Sequence, residues 1–210
     1  MRFQVLDIIP HQDDPITGRQ VDVAQRFEQV VHSAVRAEEL GFDSFSVGER
    51  HAGAFISSSP AVVLAAIAAR TTRIRLHTGV VVLPILDPVR VAEDFATVDQ
   101  LSNGRLELGI GKGNEAAHFP LFGRRAEDQW DLLEENYELL KALFGDKPVD
   151  FAGRFRSSLE QVTTTPGPTS LRFESGMARP LRCVRRNWPR STGTRCSPPM
   201  RSSPGRTTSG

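Results

Sequence analysis

Residues 74–113 read IRLHTGVVVLPILDPVRVAEDFATVDQLSNGRLELGIGKG, a strand, a helix and a second strand that ends in a glycine-rich loop. Arg75 to Val82 is apolar and β-branched, with Gly79 its one turn residue, which is the composition of a strand buried on both faces of a parallel sheet. Asp87 and Pro88 then act as N-cap and first residue of a helix with Val91, Ala92, Phe95, Val98 and Leu101 along its buried stripe. Asn103-Gly104 closes that helix. Leu106 to Ile110 follows as another apolar strand and runs into Gly111-Lys112-Gly113. In a parallel sheet the loops after Val82 and Ile110 share the rim where such folds place their chemistry. The Gly-Lys-Gly sequence is either a plain turn with a solvated lysine or a cation beside bare backbone, suited to a single phosphate group. It has the spacing of neither a dinucleotide fingerprint nor a Walker loop.

The flanks repeat the same alternation. Arg2 to Pro10 is a first strand with His11 at its exit, and Asp22 with Gln25 begins a helix whose apolar stripe is Val23, Phe27, Val30, Val31 and Ala34. Phe42 to Val47 is a second strand, and Gly48-Glu49-Arg50-His51 leaves its end as a second chemically loaded loop. Ser59 and Pro60 open a helix that is apolar nearly all round, which predicts a buried helix. Beyond the central unit lie a polar loop, Asn114 to Arg125, holding His118, and a helix from Asp128 to Phe144 with Trp130, Leu133, Tyr137, Leu140 and Phe144 on one side. Val149 to Val162 reads as a hairpin around Gly153. Four strands alternating with four helices predict an α/β fold with a parallel sheet and right-handed crossovers.

The formal net charge of +1 gives no electrostatic case for nucleic acid or an anionic membrane. No leader-like segment and no apolar run of about 20 residues is present, which predicts a soluble, cytoplasmic protein. Cys183 and Cys196 lack the spacing and the histidine partners of a metal or redox site, so no metal is expected.

Glu49-Arg50-His51, DPVRVAED (87–94) and DQLSNGRLELGIGKG (99–113), set in this β/α order, resemble the bacterial luciferase-like flavin monooxygenases over about residues 1 to 170. The resemblance implies a TIM (β/α)8 barrel that binds reduced FMN, reacts it with dioxygen and oxidises an organic substrate. It places the family's phosphate-binding cation on Lys112, between Gly111 and Gly113, where luciferases carry arginine; lysine keeps the charge without the bidentate fork. It places the family's non-proline cis peptide, on which the flavin ring rests, at Gly79-Val80. Luciferases have Glu-His-His where this chain has Glu49-Arg50-His51, so the first imidazole is absent and light emission is not expected. His51 is then the candidate for proton transfer, or for stabilising the oxygenated flavin, against the plainer reading of a histidine that caps the strand end. Glu49 either orients His51 or pairs with a basic residue such as Arg50. His11 is a weaker pocket candidate. Asp94 and Arg105 are expected to join helix and strand rather than touch substrate.

From Phe173 onward arginines are scattered among Ser, Thr, Pro and Gly with Glu174 the one acidic residue, and no structural period survives, which predicts a disordered basic tail over 171–210. Codons compatible with Glu174 to Leu181, read two bases along, can spell VWHGTATS, and those for Asn187 to Met200 can spell LAAQYGDPLFSAN; both strings resemble the family downstream. A frameshift near Arg172 is therefore expected. With it the chain would encode β1 to β4 of the barrel and their helices as one domain, 1–170, leaving an open edge, an apolar inner face and impaired activity.

The functional expectation is an FMN-dependent monooxygenase acting on a small organic molecule and dioxygen, fed by an NAD(P)H flavin reductase and assembled as a homo-oligomer. The alternatives are a deazaflavin-dependent oxidoreductase of the same fold and a non-catalytic flavin-binding or assembly subunit.

Overall fold

The structure, a computed structural model, describes residues 1–169 and 172–173. The expectations for the tail and its reading frame lie outside these residues, apart from Arg172 and Phe173. The order is β1 (Gln4–Asp7), α1 (Val23–Glu39), β2 (Ser44–Val47), α2 (Pro60–Ala68), β3 (Arg75–Thr78), β4 (Val81–Val82), α3 (Pro88–Leu101), β5 (Leu106–Leu108), β6 (Ile110–Gly111), α4 (Gln129–Leu143), β7 (Val149–Phe151), β8 (Leu159–Val162) and β9 (Arg172–Phe173). The main sheet runs β1-β2-β3-β5-β9, every pairing parallel, so its strands lie side by side in chain order as in a barrel wall. β9 extends this wall by one short strand beyond the four expected. β7 and β8 form the hairpin expected around Gly153.

Two expected strands are broken. The apolar run 75–82 divides at a cis Gly79-Val80 peptide, and the run 106–110 divides at Gly109. The second halves, β4 and β6, pair with each other as a separate two-stranded ribbon. Continuous apolar composition concealed the bend because both halves remain buried or half-buried.

Phe45, Leu76 and Leu106 lie in register and are fully buried on the face that α1, α2 and α3 cover. The alternate row is Leu6, Ser46, His77 and Glu107. Ser46 Oγ lies 3.3 Å from His77 Nδ1, and Arg75 pairs with Glu107. The inner face is therefore polar along β2, β3 and β5, which corrects the expected apolar one; Leu6, 56 % exposed, is its apolar member at the β1 edge. The strands RLHT and LEL alternate, which is the pattern of a wall with two unlike faces.

Helix ends follow the local chemistry. Asp22 Oδ1 caps α1 by accepting from the Ala24 and Gln25 main chain, and Asp87 Oδ1 caps α3 by accepting from Val89. Asn103 and Gly104, at φ 55° and 77°, turn the chain out of α3. Ser59 makes no side-chain cap to α2. That helix is not buried all round, because Val62 is 69 % exposed and Ala66 is also open; Leu101 and Val23 likewise face outward. The core stripe of α4 is Leu132, Leu133, Asn136, Leu139, Leu140 and Leu143; it contains the expected Leu133 and Leu140, while Trp130, Tyr137 and Phe144 lie half-buried at its edge.

At the N-terminal floor of the wall, Arg105 donates to the Ala68, Thr71, Ile74 and Ser102 carbonyls and to Thr71 Oγ1 at 2.7 to 3.0 Å. It fastens the ends of α2 and α3 to the start of β3, the joining role expected of it, and burial lowers the affinity of its guanidinium for its proton. Asp94 pairs with Arg90 along α3 rather than with a strand.

Glu38 near the end of α1 performs a similar task, accepting from the main chain of Thr72, Arg73 and Ile74 at 3.0, 2.6 and 2.7 Å. Burial works to raise its carboxyl, but the three donors together with the Arg73 charge hold it below the ordinary 4.5. A carboxyl lowered on folding contributes stability that is complete above the unfolded value and fades as pH falls through the native one. E38Q should therefore be less stable than the parent at neutral pH, with the difference shrinking as pH falls below the ordinary 4.5; urea midpoints at neutral pH and across the acid range measure it.

Candidate functional site

The rim at the C-terminal ends of the strands is held by one carboxylate. Glu49, two residues beyond β2 and 7 % exposed, accepts from the Val82 main chain through Oε2 at 2.8 Å and contacts His51 Nε2 through Oε1 at 2.7 Å. It thus orients His51 and also ties the loop after β2 to β4 beyond the cis bend. It does not pair with Arg50. That guanidinium reaches Asn114 Oδ1 at 2.9 Å and Glu115 in the loop after β6, and stacks 5.3 Å above the Phe55 ring. The loop after β2, strand β4 and the loop after β6 are therefore joined by side chains of two consecutive residues, Glu49 and Arg50.

His51 is enclosed by groups from the 3-10 turn Ala116–Phe122. Its ring centroid is 4.7 Å from Phe122 and 5.6 Å from His118, both edge-on. His118 is buried, meets Glu115 Oε2 through Nε2 at 2.8 Å, and hydrogen bonds the His51 main chain with its ring. Burial first, then the neighbouring His51 and Arg50, push the His118 imidazole below its usual value against the opposing pull of Glu49 and the main-chain bond. Two residues at these strand exits adopt left-handed backbone that side chains rarely take, Ile9 at φ 48° and Ala52 at φ 60°, so local strain collects at this rim.

Lys112 bonds none of these residues. Its Nζ donates to the Gly113 carbonyl at 2.9 Å and lies 5.7 Å over the Trp130 ring, and it makes no ion pair among the described residues. The glycines around it have a packing reason. A Cβ on Gly111 would stand 2.6 Å from Val80 Cγ2, and one on Gly113, at φ 75°, would stand 2.8 Å from Val82 Cγ1. Bare backbone here lets β6 close against Gly79-Val80 and β4.

Of the residues singled out from the sequence, Glu49, His51, Gly79, Val80, Gly111, Lys112 and Gly113 all fall on the ends or exits of β2, β3, β4 and β6. His11 does not join them: its Nε2 bonds the Val21 carbonyl at 2.7 Å and steadies the approach to α1. The functional reading missed Glu115, His118, Phe122 and Trp130. The four-residue spacing of His118 and Phe122 was the available signal, but Pro120 between them argued against a helical turn. Among the described residues no group of three or more His, Cys, Asp or Glu side chains can hold a metal, and no helix is long and apolar enough to cross a membrane.

A fold with parallel strands in chain order and a rim of this composition defines a class, and residues 1–181 match the luciferase-like monooxygenase family. The chain belongs to that family. It is 36 % identical over 128 residues to limonene 1,2-monooxygenase of Rhodococcus erythropolis, a match covering 60 % of this chain and 32 % of the relative. It is 33 % identical over 135 residues to the F420-dependent glucose-6-phosphate dehydrogenase of Amycolatopsis mediterranei, covering 60 % and 40 %. The crystal structure of monooxygenase RslO1 from Streptomyces bottropensis superposes with a TM-score of 0.74 at 29 % identity, over 82 % of this chain and 52 % of that one. The chain thus spans 32 % to 40 % of the length of these curated relatives and about half that of the solved one.

Glu49 offers only acceptors, and both its partners here are oriented by that fact. E49Q would keep an acceptor for the Val82 N–H but set an amide N–H against His51 Nε2, replacing a charge-assisted contact and forcing the other imidazole tautomer. A loss of about 1–3 kcal/mol in unfolding free energy, read by urea titration, is expected.

Proposed function

We propose that this chain carries the rim of an FMN-dependent monooxygenase, with reduced FMN bound at the loops after β2, β4 and β6 and with dioxygen and a small organic molecule as its other reactants. The observation that carries the reading is Lys112, a half-buried ammonium on a glycine-flanked loop, facing a carbonyl and an aromatic ring with no carboxylate partner among the described residues. A cation left in that condition is suited to a phosphate, so the residues present fit the cofactor. Similarity to named monooxygenases supports the reaction class.

When bound, the reduced flavin would supply the electrons that activate dioxygen. The chain's own contributions are separate. Lys112 would fix the phosphate as a point charge, while Gly79 and Val80, with Gly111 packed closely against Val80, present main chain beside which a flat ring can lie. His51 Nε2 is committed to Glu49, so Nδ1 is the ring atom available to take or return a proton. Arg50, held by Asn114 and Glu115, closes the side of the rim where luciferases have a further imidazole.

A second reading replaces FMN by a deazaflavin, which also carries phosphate, and the similarity to an F420-dependent dehydrogenase favours it. Titration of the protein with FMN, riboflavin and the deazaflavin decides between them. K112M should weaken FMN about ten- to a hundredfold, leave riboflavin binding unchanged, and be rescued by K112R. Equal affinity of the parent protein for FMN and riboflavin would remove the phosphate role, and tighter binding of the deazaflavin than of FMN would select the second reading.

A further inference from the structure

The 3-10 turn Ala116–Phe122 lays two side chains four residues apart against a single ring, that of His51. Glu49 fixes one nitrogen of that ring, Phe122 bounds it on one side, and His118 bounds it on another while bonding its main chain. His118 is in turn fixed by Glu115, whose other oxygen is held by Arg50. The ring of His51 is thereby anchored at its nitrogen, its edge and its backbone.

We propose that His118 is the positioning residue for His51, and that the two facing imidazoles take up one proton between them rather than two. That His51 handles a proton in catalysis rests on the function proposed above; the geometry of the pair does not.

Among the described residues the charged and titratable groups in contact with the pair are Glu49 and Arg50 from the loop after β2 and Glu115 from the loop after β6; the turn adds an apolar ring, Phe122. Glu49 meets His51 and Glu115 meets His118, so each ring has one carboxylate beside it. Arg50 stands beside both and opposes a second positive charge, and a ring centroid separation of 5.6 Å with both rings mostly out of water makes two imidazolium ions mutually repulsive. A neutral imidazole has one N–H and cannot donate to both Glu115 and the His51 carbonyl at once. The protonated form of His118 satisfies both acceptors, so its charge state determines how tightly the turn is clasped to His51.

The test needs no flavin. Ring-nitrogen NMR titrations of the histidines are followed in the full chain and in H51N, with H51F as a second variant should the first fail to fold. Removing the His51 charge should raise the His118 midpoint by about half a pH unit or more. An unmoved or lowered midpoint overturns the shared proton. For positioning, the carbethoxylation rate of His51 by diethyl pyrocarbonate, read by peptide mass spectrometry, should rise severalfold in H118A and return toward the parent rate in H118Q, which retains a donor to Glu115. An unchanged rate in H118A overturns the positioning role. A protein that gives the expected titrations yet binds no flavin would refute the proposed function while leaving the pair intact, and the converse result would do the reverse.

Discussion

The site depends on a carboxylate placed where two strands part company. Beyond the cis peptide at 79–80 the chain leaves the main sheet, and the Val82 N–H would face a buried void of acceptors without Glu49. Glu49 arrives from the neighbouring strand and satisfies that donor with one oxygen, leaving the other for His51. A buried carboxylate is costly unless its lone pairs are used, and here both oxygens have partners. The same residue therefore fixes the course of the backbone and the orientation of the imidazole. Arg50, next in sequence, extends the bracing to the third loop.

Much of this was legible in the sequence, and the parts that were not share a physical cause. Alternation of strand and helix, the Asp22 and Asp87 caps and the Asn103-Gly104 stop are local signals, and each reappears in the structure. The cis peptide at Gly79-Val80 was expected from the family resemblance and is present, but the division of both strands into separate ribbons there and at Gly109 was not readable, because apolar composition reports burial and not sheet membership. Outward-facing Val62 and Leu101 were misread for a related reason: periodicity marks a face, but only the neighbouring elements decide whether that face is covered. The polar inner row escaped notice because the strands are only four and three residues long, too short for alternation to stand out. Of the site, Glu49 and His51 were found from their place at a strand exit and from family resemblance. Their companions on the 116–122 turn depend on a fold-back that no local pattern encodes.

Glycine at 111 and 113 carries two explanations of unequal standing. Packing against Val80 and Val82 accounts for the absence of side chains on contacts already present in the chain. A ligand is not needed to justify them. The cation between them is different, since among the described residues the lysine rests on a carbonyl and an indole face with no carboxylate beside it. The charge, rather than the glycine spacing, is what points outward to a partner.

Arg105 binds the floor of the wall with five donated hydrogen bonds, and Glu49 with Arg50 braces the rim at the other end of the same short strands. No residue belongs to both sets. A substitution at Arg50 would then alter the rim without touching the hydrogen bonds that fasten the floor. Evolvability in this fold is a matter of where the polar bonds are spent: permanence at one end, and room to vary at the other.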